Sequence, residues 1–257
     1  MGATAHGALD RELAEAWLRR WEKQQEHYLA DREERFTVIA DVVEYVAQGL
    51  PDPVVVDLGC GPGSLAARLL ERIPKAQVVG VDTDPFLLAL ARATAPDRLR
   101  LVDTRLGEPG WLDRLALPGE IDAAVSTTAL HWVPEEQLAR TYRDLAAALR
   151  PGGVLVNGDH LEQERPELAR IAKAVHATQL ERSGVLDHED WRTWWDAAEQ
   201  VPEFAELLAE RRRRGATGGW GNGFTLTRHT ELLHAAGFTE VAPVWQHGDN
   251  YVLVAVR

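Results

Sequence analysis

The sequence predicts an α/β protein built on a doubly wound, mostly parallel sheet of seven strands. Three observations carry this expectation. Short β-branched runs alternate with amphipathic segments from Val54 to Asp159. The first of these runs leads into a glycine-rich loop, VVVDLGCGPG (Val54 to Gly63), that opens a helix. The connections are short, so successive parallel strands must be joined by crossovers that place helices on both faces.

Taken in order, Ala8 to Gln48 has a helical pattern, with Leu13, Trp17 and Trp21 at four-residue spacing and Phe36, Ile39, Val43 and Val46 on one face. Two N-terminal helices therefore precede the sheet, as a cover over residues 1–50. Val54 to Leu58 is continuously apolar up to its acid, as expected of a strand buried on both faces. Helix is then expected over Ser64 to Ile73, strand over Gln77 to Val81, helix over Pro85 to Thr94 and strand over Leu99 to Asp103. Strand Ile121 to Ser126, helix Pro134 to Arg150 and strand Val154 to Asp159 continue the rhythm. Residues 161–225 interrupt it with a Trp-rich helical insertion ending in the glycine-heavy stretch Gly215 to Gly223. An insertion after a strand's carboxyl end is placed to act as a lid over a site. Helix Thr230 to Ala236 follows, then Phe238 to Val244 and Asn250 to Val256, which read as an antiparallel hairpin closing the sheet. No internal repeat or linker divides the chain, so residues 1–257 are read as a single domain.

Composition narrows the function classes. The 257 residues are 45% hydrophobic and 26% charged, which suits a globular chain with a core. A net charge of −12 repels a phosphate backbone, so nucleic acid is not an expected partner. No apolar run approaches the roughly 20 residues of a membrane helix, and the N-terminus has no signal-peptide pattern. The expectation is a cytoplasmic chain with a small-molecule partner, and a homodimer is allowed for. Cys60 is alone and constrains no redox compartment.

The glycine loop carries the chemistry. Glycines at 59, 61 and 63 let backbone approach a ligand, and the helix after them offers unpaired amides. A dinucleotide fingerprint would need its third glycine at Ser64, and Asp57 would oppose a pyrophosphate. An acid there suits a ligand with a cationic group. Asp82 ends the second strand, 19 residues beyond Gly63, where a carboxylate can accept both hydroxyls of a ribose. An aminoacyl nucleoside meets both requirements.

With these pieces in place, the sequence resembles the class I S-adenosylmethionine-dependent methyltransferases, over roughly Tyr28 to Arg257. The matching stretches are VVVDLGCGPG (Val54 to Gly63), VVGVDTDP (Val78 to Pro85), LVDTRL (Leu101 to Leu106), IDAAVSTTALHWV (Ile121 to Val133), LRPGGVLV (Leu149 to Val156) and AAGF (Ala235 to Phe238). The resemblance implies a Rossmann-like methyltransferase fold and S-adenosyl-L-methionine as cofactor. It also implies that Gly59, Gly61 and Gly63 pass beneath the cofactor, with Asp57 near its methionine end and Asp82, followed by Thr83, at the ribose. Asp103 and Thr104 match the adenine position, and Ser126, Thr127 and Thr128 the stretch beside the sulfonium. QQEHYLADREERF (Gln24 to Phe36) is similar to the N-terminal cover of bacterial small-molecule members, which makes Tyr28 and Arg35, with Arg32 as substitute, candidates for the cofactor carboxylate.

For the acceptor end, His131 and Trp132 follow the fourth strand and His160 ends the fifth, where an imidazole could take a proton from a phenol, carboxylic acid or amine. His131 and His160 are the catalytic candidates. His188, Trp191 and Trp195, with Trp132, are the substrate-binding candidates. Trp194 and Trp220 belong to the same aromatic group, and an interaction surface or simple lid packing is the competing account of it. No metal is expected, because Asp159, His160, Asp187 and His188 match no ligand spacing. Arg211 to Arg214 reads as a solvated helix end, Cys60 as a small filler, and His6, His27, His176, His229, His234 and His247 as ordinary histidines. The reading is a methyltransferase acting by in-line displacement on an O, N or C nucleophile of a small, aromatic or secondary metabolite. The alternatives are a non-catalytic S-adenosylmethionine-binding or partner-binding protein of the same fold and, behind it, a nicotinamide-dependent oxidoreductase.

Overall fold

The computed structural model describes residues 9–215 and 221–257; His6 and Trp220 lie outside the described residues. Seven strands form one sheet in the order β3-β2-β1-β4-β5-β7-β6. They are β1 (Val54–Leu58), β2 (Gln77–Asp82), β3 (Arg100–Asp103), β4 (Ile121–Thr127), β5 (Leu149–His160), β6 (Glu240–His247) and β7 (Asn250–Val256). The first five run parallel, and β7 is inserted antiparallel between β5 and β6. The order reverses between β1 and β4, so their carboxyl ends diverge into a crevice.

Helices α1 (Arg11–Glu26) and α2 (Arg32–Val46) precede the sheet, and α3 (Ser64–Arg72), α4 (Pro85–Thr94) and α5 (Glu135–Ala148) are its crossovers. Helices α6 (Pro166–Ser183), α7 (Trp191–Ala198) and α8 (Ala205–Arg213) follow β5, and α9 (Leu226–Ala236) precedes the final hairpin. One sheet face packs against α2 and α3 through Phe36, Ile39, Leu65 and Leu69, and the other against α5 and α9 through Leu138, Tyr142 and Leu233. A third cluster joins α1, α4, α7 and α8 around Trp17, Phe86, Trp194 and Phe204. The rings of Trp17 and Trp194 meet edge-on at 5.3 Å, so the tryptophan at position 194 is core. No helix among the described residues is long and apolar enough to cross a membrane.

Of the boundaries that differ from the sequence expectation, three have a clear local reason. Helix α9 starts at Leu226, before Thr230, because the Thr225 hydroxyl accepts from the Arg228 amide and caps it. Strand β5 reaches back to Leu149, which pairs with Ile121 across a register shift that absorbs the intervening Pro151-Gly152-Gly153. Phe238 is buried under α9, its amide bonded to the Leu233 carbonyl, so it ends the helix and β6 begins at Glu240.

Candidate active site

Backbone geometry at the end of β1 is set by glycine. Gly59 has φ +69°, and a Cβ placed on it would lie 2.4 Å from the Cβ of Ala129, where the loop after β4 crosses beneath. The amides of Gly59 and Cys60 donate to the Val81 carbonyl, and that of Gly61 donates to Asp82 Oδ2 at 2.8 Å, which pins the loop to β2. Asp82 Oδ1 accepts from the amides of Thr83 and Asp84 at 2.7 and 2.8 Å. Burial nevertheless pushes the Asp82 carboxyl up to about 6. Asp57 is more extreme: it is 1% exposed, and neither carboxylate oxygen has a hydrogen-bond partner of normal geometry among the described residues. Burial first and the charge of Asp82 second push it up to about 7, with the Ala66 amide offsetting only part. Burial likewise pushes the Cys60 thiol well above its ordinary value, as suits an inert filler.

A chamber of about 760 Å³ opens over this loop. Of the sequence candidates, Tyr28, Gly59, Gly61, Asp82, Thr83, Thr104, Thr127, His131, Trp132, His160, Trp191 and Trp195 line it. Six others are placed elsewhere. Asp57 and Gly63 sit behind the loop, Gly63 as the N-cap of α3. Ser126 is fully buried and donates to the Leu58 carbonyl, tying β4 to β1. Arg35 is fully buried behind the chamber wall, donating to Asn250 Oδ1 at 2.7 Å and Thr128 Oγ1 at 3.3 Å, while Arg32 reaches the chamber. Asp103 is held by Arg214 Nη1 at 2.7 and 2.8 Å, leaving Thr104 as the lining residue of that pair. His188 lies against Glu26 at 3.2 Å, outside the lining.

The acceptor end contains a pairing that linear spacing did not reveal. His131, in a 3₁₀ turn after β4, places Nδ1 at 2.7 Å from Asp159 Oδ1 at the end of β5. Asp159 is completely buried; the desolvation that would raise its pKa is outweighed by His131, Arg35 and His160, so it lies below its ordinary value and is ionised. An ionised carboxylate only accepts, so Nδ1 carries the proton and the lone pair of neutral His131 is on Nε2. Asn222 holds this turn by donating through its side chain to the carbonyls of Leu130 and Val133. Thr128, with φ +51°, is a strained non-glycine residue at the chamber wall.

Arg32, the substitute candidate, reaches the chamber, and sequence reading missed two further cations there, Arg105 and Arg211. Arg32, Arg105 and Arg211 line the chamber, and each already holds a carboxylate: Arg32 with Glu22, Arg105 with Glu108 at 3.4 Å, and Arg211 with Asp84 at 2.6 Å. Arg211 also lies over the Trp195 ring at 3.7 Å, so the basic run read as a solvated helix end in fact anchors α8 to the first turn of α4. Trp21, one turn from the buried Trp17, lines the chamber as well.

These features fit an aminoacyl nucleoside with a sulfonium. An unpartnered buried carboxylate favours a cationic group nearby, the loop excludes any Cβ at residue 59, and Asp82 presents acceptor oxygens at the chamber edge.

Comparison with known proteins agrees. A family described as a methyltransferase domain matches residues 55–153. The trans-aconitate 2-methyltransferase of Methylobacterium nodulans is 31% identical over 187 residues, covering 69% of this chain and 68% of the relative. The protein of the same name from Azoarcus sp. is 38% identical over 137 residues, 52% of this chain and 49% of the relative; the chain thus spans about half the length of several relatives it matches. In structure, human N-acetylserotonin methyltransferase in complex with S-adenosylmethionine superposes with a TM-score of 0.52 at 16% identity, covering 100% of this chain and 60% of that one, which supports the fold. The chain belongs to the class I S-adenosylmethionine-dependent methyltransferases.

Proposed function

We propose that this chain methylates a small-molecule acceptor whose attacking oxygen or nitrogen carries a proton, with His131 as general base. The observation that carries the reading is the His131–Asp159 pair at 2.7 Å in the chamber wall. S-adenosylmethionine supplies an activated methyl group when bound, so the protein's work is to bind, orient and deprotonate. Asp82 and the glycine loop would hold the nucleoside, and Asp57, buried behind the loop, would act on its cationic end through its charge without lining the chamber. Asp159 keeps Nε2 of His131 as the basic nitrogen and would stabilise the imidazolium formed as the acceptor's proton is taken. Trp21, Trp132, Trp191 and Tyr28 give the chamber flat apolar walls that suit an aromatic acceptor.

A second reading rests on the relatives named trans-aconitate 2-methyltransferase. A carboxylate needs no base, and His131 as imidazolium would then hold the anion. Against it, the three lining arginines are already paired with carboxylates, which leaves little cationic capacity for a polycarboxylate.

The two readings predict different acceptors. Initial rates should be measured on a panel of phenols, hydroxyl compounds, amines and trans-aconitate, with wild type and His131→Ala. Base catalysis predicts turnover of a proton-bearing acceptor and a loss of roughly 10²–10⁴-fold in the variant. Preference for trans-aconitate, or a variant as fast as the wild type on a proton-bearing acceptor, would overturn it.

A further inference from the structure

We propose that His160, His176 and Asp249 form a binding site for one divalent zinc-type cation at the edge of the chamber. The three residues come from the end of β5, from α6 and from the turn between β6 and β7, so topology alone brings them together. His160 Nδ1 lies 3.3 Å from Asp249 Oδ1, and His176 Nδ1 lies 3.2 Å from the same oxygen. All three ligand atoms fall within 4.8 Å of one another. A tetrahedral zinc site with bonds of about 2.0–2.1 Å has ligand–ligand edges of about 3.3–3.4 Å, which the two edges to Asp249 match, while the two imidazole nitrogens lie within 4.8 Å of each other.

A second observation points the same way. His176 Nε2 is 3.0 Å from the Tyr28 carbonyl oxygen, which can only accept, so Nε2 carries a proton. Nδ1 faces the Asp249 carboxylate, so a positive charge must lie between them, either a proton on the ring or a metal ion held by a neutral ring. Metal-bound imidazoles are oriented in this way, with the far nitrogen donating to a backbone carbonyl. The rings of His160 and His176 stack at 5.0 Å, and the side chains are only 28% and 18% exposed, so the donors are held in place. His160 also lines the chamber, which leaves a fourth coordination position for water or an acceptor oxygen. His188 lies instead beside Glu26, apart from this cluster. The site stands independently of the methyl-transfer reading, because its donors are complete without cofactor or acceptor.

The test uses the full chain after chelator treatment and dialysis, titrated with Co(II) and followed by visible absorption, with Zn(II) competing. About one equivalent of Co(II) should bind with the intense bands of four-coordinate cobalt, and Zn(II) should bleach them. His176→Ala and Asp249→Asn should each weaken binding by more than about 100-fold, beyond what an outer partner costs, while His188→Ala leaves it unchanged. Should either site variant fail to fold, X-ray absorption at zinc in the wild type reads the ligand set directly: two imidazoles, one carboxylate and one further light atom support the proposal. No uptake would overturn it and would make His176 an imidazolium; so would weak six-coordinate spectra, a ligand set lacking two imidazoles, or bands undiminished in both variants.

Discussion

Replacing Asp57 with Asn removes a charge that the folded chain accommodates badly. The carboxyl is buried, without a hydrogen bond of normal geometry among the described residues, and pushed from an ordinary 3.8 up to about 7. Between those values the folded chain retains a proton that the unfolded chain has released. Stability therefore falls as pH rises through this window and levels off above it. At ~1.4 kcal/mol per pH unit, the loss from this one group is about 4 kcal/mol. An amide at the same place has no such dependence, and its own burial cost is constant with pH. Urea unfolding of the ligand-free wild type and Asp57→Asn at about pH 4 and about pH 8 isolates the effect, since every other titrating group is common to both. The variant should gain about 4 kcal/mol on the wild type between the two conditions, while binding S-adenosylhomocysteine, whose amino group is cationic, more weakly at the higher pH. A stability difference that stays the same at both pH values would refute the reasoning, since it would mean that Asp57 is solvated or paired.

Asp82→Ala should weaken S-adenosylhomocysteine binding about 10–100-fold by calorimetry, the loss expected when charge-assisted hydrogen bonds to a ligand are removed, and unchanged affinity would remove Asp82 from the ribose. Gly59→Ala forces a Cβ to 2.4 Å from Ala129 in a left-handed conformation that itself costs about 1–2 kcal/mol; the urea midpoint should fall and cofactor binding should be lost, and a neutral result would contradict the loop geometry. Arg211→Ala leaves Asp84 buried without its ion pair, at a cost of about 3–5 kcal/mol to the packing of α8 on α4. Limited proteolysis should then cut between α7 and α8 faster than in the wild type; an unchanged cleavage rate would show that the pair does not hold α8 down.

Much of the sheet was legible because its determinants are local. Period-two and period-3.6 patterns place the strands and crossovers, and the positive φ values of the loop after β1 demand glycine at positions 59, 61 and 63. Asp82 could be located because it terminates β2 next to that loop. The features that escaped depend on residues far apart in the chain. His131 and Asp159 were each visible at a strand end, but their contact exists only because β4 and β5 are neighbours. Arg211 reaches Asp84 across 127 positions, and a run of four arginines gives no hint that one of them is buried. His176 read as an ordinary histidine of the insertion, and its carboxylate partner comes from the distant turn carrying Asp249. Arg35 shows the converse: it occupies the expected segment, yet Asn250 and Thr128 hold it behind the wall while Arg32 enters the chamber.

A crystal structure of the chain with S-adenosylhomocysteine addresses the central claim most directly. The account predicts ribose hydroxyls on Asp82, backbone of residues 59–61 beneath the ligand, and the vacated methyl position within reach of His131. A nucleoside seated away from Asp82, or a chamber that takes up a dinucleotide and not the thioether, would contradict it.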